Sequence, residues 1–524
     1  MPERLKDIVE DALVDRWLGL PVLATYAGVR GYDHTIGDFS PEAVAERLRV
    51  KKALLARLAR LRFRNGSPGA WDKRLLEGHL RVQVAEIEGW GRIHKDPSLY
   101  SLNAIRSLHL LLLRDHPARY RREMVRARLA EVPRVLRQGV ENLRYPDRTL
   151  TEVAIAAAEA GVGFLRGAIR PFDPVRTEAA VRAMRRYALH LRKSVLPKAR
   201  RTFPLGRRIF DLKLRLEHGL PYDADELYEI GREEIARTKA EMARLARRLD
   251  PNAAWQEVVL RLKRDHPSAG DVVAHHRRES RRLRAFCLRE GLVRFPKGES
   301  LRVLPTPRFE WGTVPYAAMI PPGAFEKGRR STFWVTPVDG KSSKRKQAER
   351  LREHCVWVIP LVALHEGYPG HHIQLSRGNR VRSKAGRVFY TPAMYEGWAH
   401  YCEQMMEETG YLNDDRMRLM RLKDQLWRAC RVVADVGLHV RGWPHRRAAD
   451  LLVREALLER PNAAAEVNRY CGTPTEPLSY TMGKLEILKL RSAARVRWGR
   501  RYSLRRFHDW LLDHGSAPPS WLQP

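Results

Sequence analysis

No run of about 18 uncharged apolar residues occurs in this chain, so no helical membrane span is expected. The longest apolar runs, LHLLLL (108–113) and CVWVIPLVAL (355–364), are too short. The opening residues, MPERLKDIVEDALVDRW, alternate charge with apolar side chains and lack the apolar core of a signal peptide. A cytoplasmic protein with no membrane partner is the expectation. Cysteine is scarce. The five, Cys287, Cys355, Cys402, Cys430 and Cys471, are odd in number, widely spaced, and form no CxxC pair. That excludes a disulfide framework and argues against thiolate ligation of a metal. Glycine and proline are too few for a fibrous or disordered chain. Acidic residues are outnumbered: 61 against 97 basic ones, a formal net charge of +36. Such an excess raises nucleic acid as a partner. The basic residues, however, are spread along nearly every segment and are densest at 182–208 and 341–352. No zinc-finger spacing or RNP-like aromatic motif accompanies them. Solvated basic faces are the simpler reading.

Apolar residues make up 44% of the 524, ample for a large core. The pattern is mainly helical. Residues 41–62, PEAVAERLRVKKALLARLARLR, place apolar side chains at helical spacing among strong helix formers. Segments 71–92, 119–144 and 224–249 read the same way. Ser40-Pro41 and Asp223 offer helix starts. The texture changes after about residue 290, where Pro, Gly and aromatic residues gather and TFWVTPV has strand composition. A small β segment is expected near residues 300–340. The expected division is a helical scaffold over 1–290 and a catalytic part over 291–524, with both able to share one core.

The chemistry concentrates in LHEGYPGHHIQ. In a helical HExxH, two histidines one turn apart share a face and reach one zinc, with the Glu beside the zinc-bound water. Here position i+4 from His365 is Pro369, and the next histidines are His371 and His372. In a regular helix, i+6 points away, and i+7 lies about 10 Å along the axis. Pro369 cannot donate to residue 365, and Gly370 tolerates unusual backbone angles. Pro-Gly therefore predicts a local bulge that returns a delayed histidine to the metal. A catalytic zinc needs a third protein ligand. YEGWAHYCE (395–403) supplies Glu396 for it. Glu403, two turns on, is placed to hold a ligand histidine through its second ring nitrogen. Arg469, Tyr470 and Tyr480 in RYCGTPTEPLSYTMG are candidates for oxyanion support or for gripping a substrate carboxylate. Asp435 and His439, at i and i+4, are expected to meet on one helix face and read as a structural pair or part of a cleft.

HEGYPGHH and EGWAHYCE resemble the HExxPGHH and EGWALYxE signatures of the bacterial family known as domain of unknown function 885, with His400 in place of the usual Leu. The resemblance covers nearly the whole chain, including PVLATYAGVRGYD (21–33), ACRVVADVGLHVRGW (429–443) and RRFHDWLLDHG (505–515). It implies a large, mainly α, gluzincin-like metallopeptidase scaffold. EGWAHYCE is also similar to the Asn-Glu-Gly-Phe-Ala segment of zinc aminopeptidases, which implies Glu396 as third ligand. The family sometimes has an aromatic residue at the second histidine of GHH, which favours His371 over His372. Its block RY…PGQALSY departs here, with Thr475, Glu476 and Pro477 in place of Gly, Gln and Ala.

The expectation is a zinc-dependent peptidase acting on short peptides. His365, His371 and Glu396 hold the metal, and Glu366 is the general base. Tyr480 and Arg469 support the oxyanion. His372, Glu403 and His439 are supporting or alternative ligands. Two rival expectations are a basic helical protein binding nucleic acid or an acidic partner, and a zinc hydrolase acting on a non-peptide ester or amide.

Overall fold

Helices begin where capping residues stand. A computed structural model describes residues 4–64, 66–308, 311, 314, 316–326 and 328–524. In it Ser40 accepts a hydrogen bond from the Ala43 amide and opens a helix at Pro41. Asp223 and Glu226 form a reciprocal capping box that opens another at Ala224. Among the described residues the protein is mainly α, with one small sheet. It divides into two compact units.

The first unit comprises residues 1–212, 323–328 and 383–389. Its helices are α1 (Leu5–Gly19), α2 (Pro21–Ala27), α3 (Pro41–Arg60), α4 (Pro68–Ala85), α5 (Ser98–Leu113), α6 (Ala118–Asn142), α7 (Arg148–Phe164) and α8 (Pro174–His190). Ile8, Leu13, Trp17, Leu54, Leu58, Leu76 and Leu80 share one core cluster. Each large apolar side chain buried there contributes about 1.5–3 kcal/mol relative to exposure.

After α9 (Arg207–Leu216), the second unit holds residues 213–322, 329–382 and 390–524. It contains α10 (Ala224–Leu249), α11 (Trp255–Leu262), α12 (Val272–Arg289), α13 (Lys344–Arg352), α14 (Ile359–Glu366) and α15 (His371–Gly378). The short α16 (Lys384–Val388) belongs to the first unit. Then follow α17 (Pro392–Glu408), α18 (Asp415–His439), α19 (His445–Ala456), α20 (Arg460–Gly472), α21 (Ser479–Trp498) and α22 (Leu504–Asp513). The sheet has the order β1 (Ser300–Pro305), β3 (Arg330–Val335), β2 (Ala317–Ile320). β1 runs parallel to β3, with Ser300 opposite Arg330, and β2 runs antiparallel to it, with Ala317 opposite Val335. α10 packs on α18, α17 on α21, and α14 on α12, α17 and β2.

By packing, residues 213–322 group with the later helices, and segments 323–328 and 383–389 group with residues before 213. The change of texture near 290 marks the switch from helix to sheet. It does not mark where packing divides, since α10 and α12 pack on α18 and α14 of the same unit.

Candidate metal centre

α14 carries His365 and Glu366 on its last turn and stops at Gly367. Pro369 has no amide hydrogen to continue it. The Gly370 amide instead donates to Leu364 O, six residues back, at 3.0 Å. A Cβ on residue 370 would collide with the carbonyl oxygens of Leu364 and His365, so glycine is required for this close approach. α15 then starts at His371. The expected bulge within one helix is a break between two helices, because the tight loop ends one hydrogen-bond ladder and starts another. The Trp398 indole donates to Pro369 O at 2.9 Å and pins the loop to α17.

The break sets the His365 and His371 rings edge to face, centroids 4.7 Å apart. Glu396, on α17, reaches both: its Oε2 lies 3.5 Å from His365 Nε2 and 3.2 Å from His371 Nε2. That oxygen is buried yet makes no hydrogen bond of normal geometry. Glu366 joins the group: one ligand atom from each of His365, Glu366 and His371 lies within 4.8 Å of the others. All the site residues are buried except Glu366, which is partly open.

Glu403 stands behind His365. Its Oε1 accepts from His365 Nδ1 at 2.9 Å and pairs with Arg428 Nη2 at 3.0 Å. Its Oε2 meets His400 Nδ1 at 3.2 Å. His400 thus occupies the carboxylate's second oxygen. Burial works against charge on His365, but Glu396 and Glu403 outweigh it and lift its pKa to about 9. Burial also opposes the Glu396 carboxylate; His371 and His365 more than offset it and hold its pKa well below the usual range. The two carboxylates beside His365 favour positive charge at this point. A divalent cation would answer the same demand. Two imidazoles and a carboxylate are a donor set suited to zinc.

His372 faces elsewhere. Its Nδ1 lies 2.7 Å from Ser331 Oγ on β3 and its Nε2 2.7 Å from Glu299 Oε2. Both ring nitrogens are occupied away from the cluster. His439 is also remote: its Nε2 contacts Tyr470 O at 3.0 Å and Asp435 Oδ1 at 3.8 Å inside the core. Burial lowers its pKa to about 4.

Tyr480, at the start of α21, stacks on His365 with centroids 6.2 Å apart. Arg431 lies 4.5 Å above the Tyr480 ring. Gly397 of α17 and Gly483 of α21 let these helices touch backbone to backbone; a Cβ on either would collide with the other. Thus Glu396 and Tyr480 arrive on one tightly crossed helix pair. Arg469 is held between Glu466, at 3.2 Å, and Glu476, at 3.1 Å. Thr475 adopts the left-handed backbone (φ 71°). His218 Nε2 holds its hydroxyl at 2.9 Å.

A cavity of about 290 Å³ adjoins the cluster. Its lining includes His365, Glu366, Glu403, Arg469 and Tyr480 together with Lys263, His354, Lys423, Trp427 and Arg428. Glu299, Arg428, Glu466 and His354 lie outside the motifs read from the sequence and come from separate elements.

No described helix is long and apolar enough to cross a membrane. None of the curated proteins matches the chain. A candidate lipoprotein of unknown function from Shewanella oneidensis has a similar structure, with TM-score 0.81 at 24% identity over 99% of this chain and 98% of that one. A candidate lipoprotein from Colwellia psychrerythraea gives TM-score 0.79 at 18% identity, covering 98% and 97%. These likenesses show a shared fold. The model of the DUF885 family, described as bacterial protein of unknown function, matches residues 21–524. The chain therefore belongs to the DUF885 family.

Proposed function

We propose that the chain is a zinc-dependent hydrolase and, more narrowly, a peptidase acting on short peptides. The observation that carries the reading is the convergence of His365 Nε2 and His371 Nε2 on one Glu396 oxygen beside Glu366. His365, His371 and Glu396 would hold the zinc. The ion supplies Lewis acidity, polarising a carbonyl and acidifying a water. Glu403 fixes the tautomer and tilt of His365 by accepting from Nδ1. Glu366 takes the proton of the attacking water and returns it to the leaving amine. Tyr480 lines the cavity and donates its hydroxyl hydrogen to the developing oxyanion. Arg469, already shared by two carboxylates, is a weaker anchor for a substrate carboxylate than its charge alone suggests.

The cavity's size supports short or extended substrates over folded proteins. Ala317 at its wall belongs to β2, an edge strand able to pair with an extended peptide. Metal analysis of purified protein and a Glu366→Gln variant test the reading. Absence of stoichiometric zinc, or hydrolysis undiminished in the variant, sinks it. A cytoplasmic location is part of the proposal. The solved relatives are described as candidate lipoproteins, so recovery of the native protein in the envelope fraction would overturn that part.

A further inference from the structure

A phenol hydroxyl moves with its ring. A donor displaced by about 1 Å from a developing oxyanion can cost on the order of 100-fold in rate. Whatever holds the Tyr480 ring therefore matters to its chemistry. The ring stacks on His365, with planes 12° apart and centroids 6.2 Å apart. Two cations lie over it, Arg431 at 4.5 Å and Arg428 at 5.8 Å. Arg428, the farther one, also pairs with Glu403 behind His365, at 3.0 Å.

Arg431 is fixed by three further groups. Its guanidinium lies over a second ring, that of Trp427, at 4.4 Å. Trp427 and Arg431 stand at i and i+4 on α18 and so share a face. Arg431 Nε donates to the Tyr470 hydroxyl at 3.0 Å, and Nη2 pairs with Glu466 Oε2 at 3.1 Å. The Tyr470 hydroxyl donates to that same Glu466 oxygen at 2.7 Å and closes the set. A flat guanidinium gives its edge to hydrogen bonds while its faces lie on aromatic rings; a lysine ammonium cannot do both. The clamp joins α18, which carries Arg431, to α20, which carries Glu466 and Tyr470, and to Tyr480 on α21.

Other cations of the cavity wall are engaged differently. Lys263 pairs with Glu353 at 2.9 Å and Lys423 with Asp424 at 3.2 Å. Arg469 is shared by Glu466 and Glu476 and lies over Tyr470, at 5.2 Å.

We propose that Arg431 is the positioning residue of the oxyanion donor. Set by Trp427, Tyr470 and Glu466, its guanidinium holds the Tyr480 ring against His365, so that the hydroxyl keeps one place beside the metal centre. The supporting task that the sequence suggested for Arg469 passes to Arg431. The inference rests on the peptidase reading for the role of Tyr480, but the holding of the ring is testable without turnover.

Two measurements on the full zinc-loaded chain test it. First, crystal structures of wild type and Arg431→Lys are compared. In the variant, with zinc still stoichiometric, the Tyr480 ring should leave its stack on His365 and its hydroxyl should shift by about 1 Å or more. Second, kcat and KM for one short peptide are measured in wild type, Arg431→Lys, Tyr480→Phe and the double variant. Arg431→Lys should lower kcat ~10–100-fold with KM within ~3-fold. In the Tyr480→Phe background the same substitution should cost less than ~3-fold, because no hydroxyl is left to place. Should Arg431→Lys fail to fold, Tyr470→Phe replaces it in both measurements, with a loss of about 3–10-fold expected from the missing bond to Nε. An unmoved Tyr480 ring overturns the proposal. An equal loss in both backgrounds does so too, because Arg431 would then act on the substrate itself or on the fold alone. If the ring moves but zinc-loaded wild type cleaves no peptide, Arg431 stands as the holder of Tyr480 and the peptidase reading falls.

Discussion

Glu403→Gln is the substitution whose effect follows most directly from the geometry. It keeps side-chain size and removes one negative charge from a carboxylate that is 1% exposed. Three groups depend on that charge: His365 Nδ1 at 2.9 Å, His400 Nδ1 at 3.2 Å and Arg428 Nη2 at 3.0 Å. A glutamine can accept from His365 or from Arg428 on its oxygen. Its NH₂ then turns a donor towards the remaining partners. Loss of the group that orients a ligand histidine lowers metal affinity about 10–100-fold. That is about 1.4–2.8 kcal/mol. Separately, Arg428 loses its closest carboxylate. Breaking a buried ion pair costs about 3–5 kcal/mol. Asp424, at 3.8 Å, remains to it, so the low end applies. The two effects separate by experiment. Zinc affinity is read by competition with a chromogenic chelator, and stability by thermal unfolding of the metal-stripped protein. Affinity within threefold of wild type, together with an unchanged unfolding midpoint, would refute the assignment of Glu403 as the support of a metal ligand.

His371→Ala should abolish stoichiometric zinc, whereas His372→Ala should keep it and lower stability by about 1–3 kcal/mol through the lost contacts to Glu299 and Ser331. The opposite metal contents would reverse the ligand assignment. Gly370→Ala should cost about 1–3 kcal/mol and reduce zinc occupancy, because its Cβ meets the His365 carbonyl; normal occupancy by metal analysis counts against the loop as the device that aligns the histidines. Burial holds His218, His354, His439 and His508 at pKa values of about 4, against 6.5 in the unfolded chain. From pH 6.5 down to 4, the unfolded chain binds the extra protons, so stability falls by about 1.4 kcal/mol per pH unit for each histidine, and their loss levels off below 4. An unfolding midpoint that stays flat across that window contradicts the neutral burial of these rings.

The periodic helices were legible in the sequence because propensity, caps and apolar spacing agree there. The capping residues Ser40 and Asp223 start their helices as read. TFWVTPV lies largely in β3, where β-branched and aromatic residues sit in a half-buried sheet. At the centre, His365, His371, Glu366 and Glu396 were identifiable because two short motifs carry them. Glu299 and Arg428 were not. Each is a single charged residue in an ordinary segment, and only the fold brings it to its histidine or carboxylate.

The paired charges of the cavity wall also divide the molecule's labour. With 97 basic residues in the chain, almost any approaching anion feels the protein. Inside, each cation on the wall already has its carboxylate. Long-range attraction and local selection are thus carried by different parts of the sequence. Added salt should weaken adventitious anion binding at the surface while leaving discrimination inside the cavity intact. The surface can therefore lose or gain arginines, by drift or by design, without rewriting what the cavity accepts.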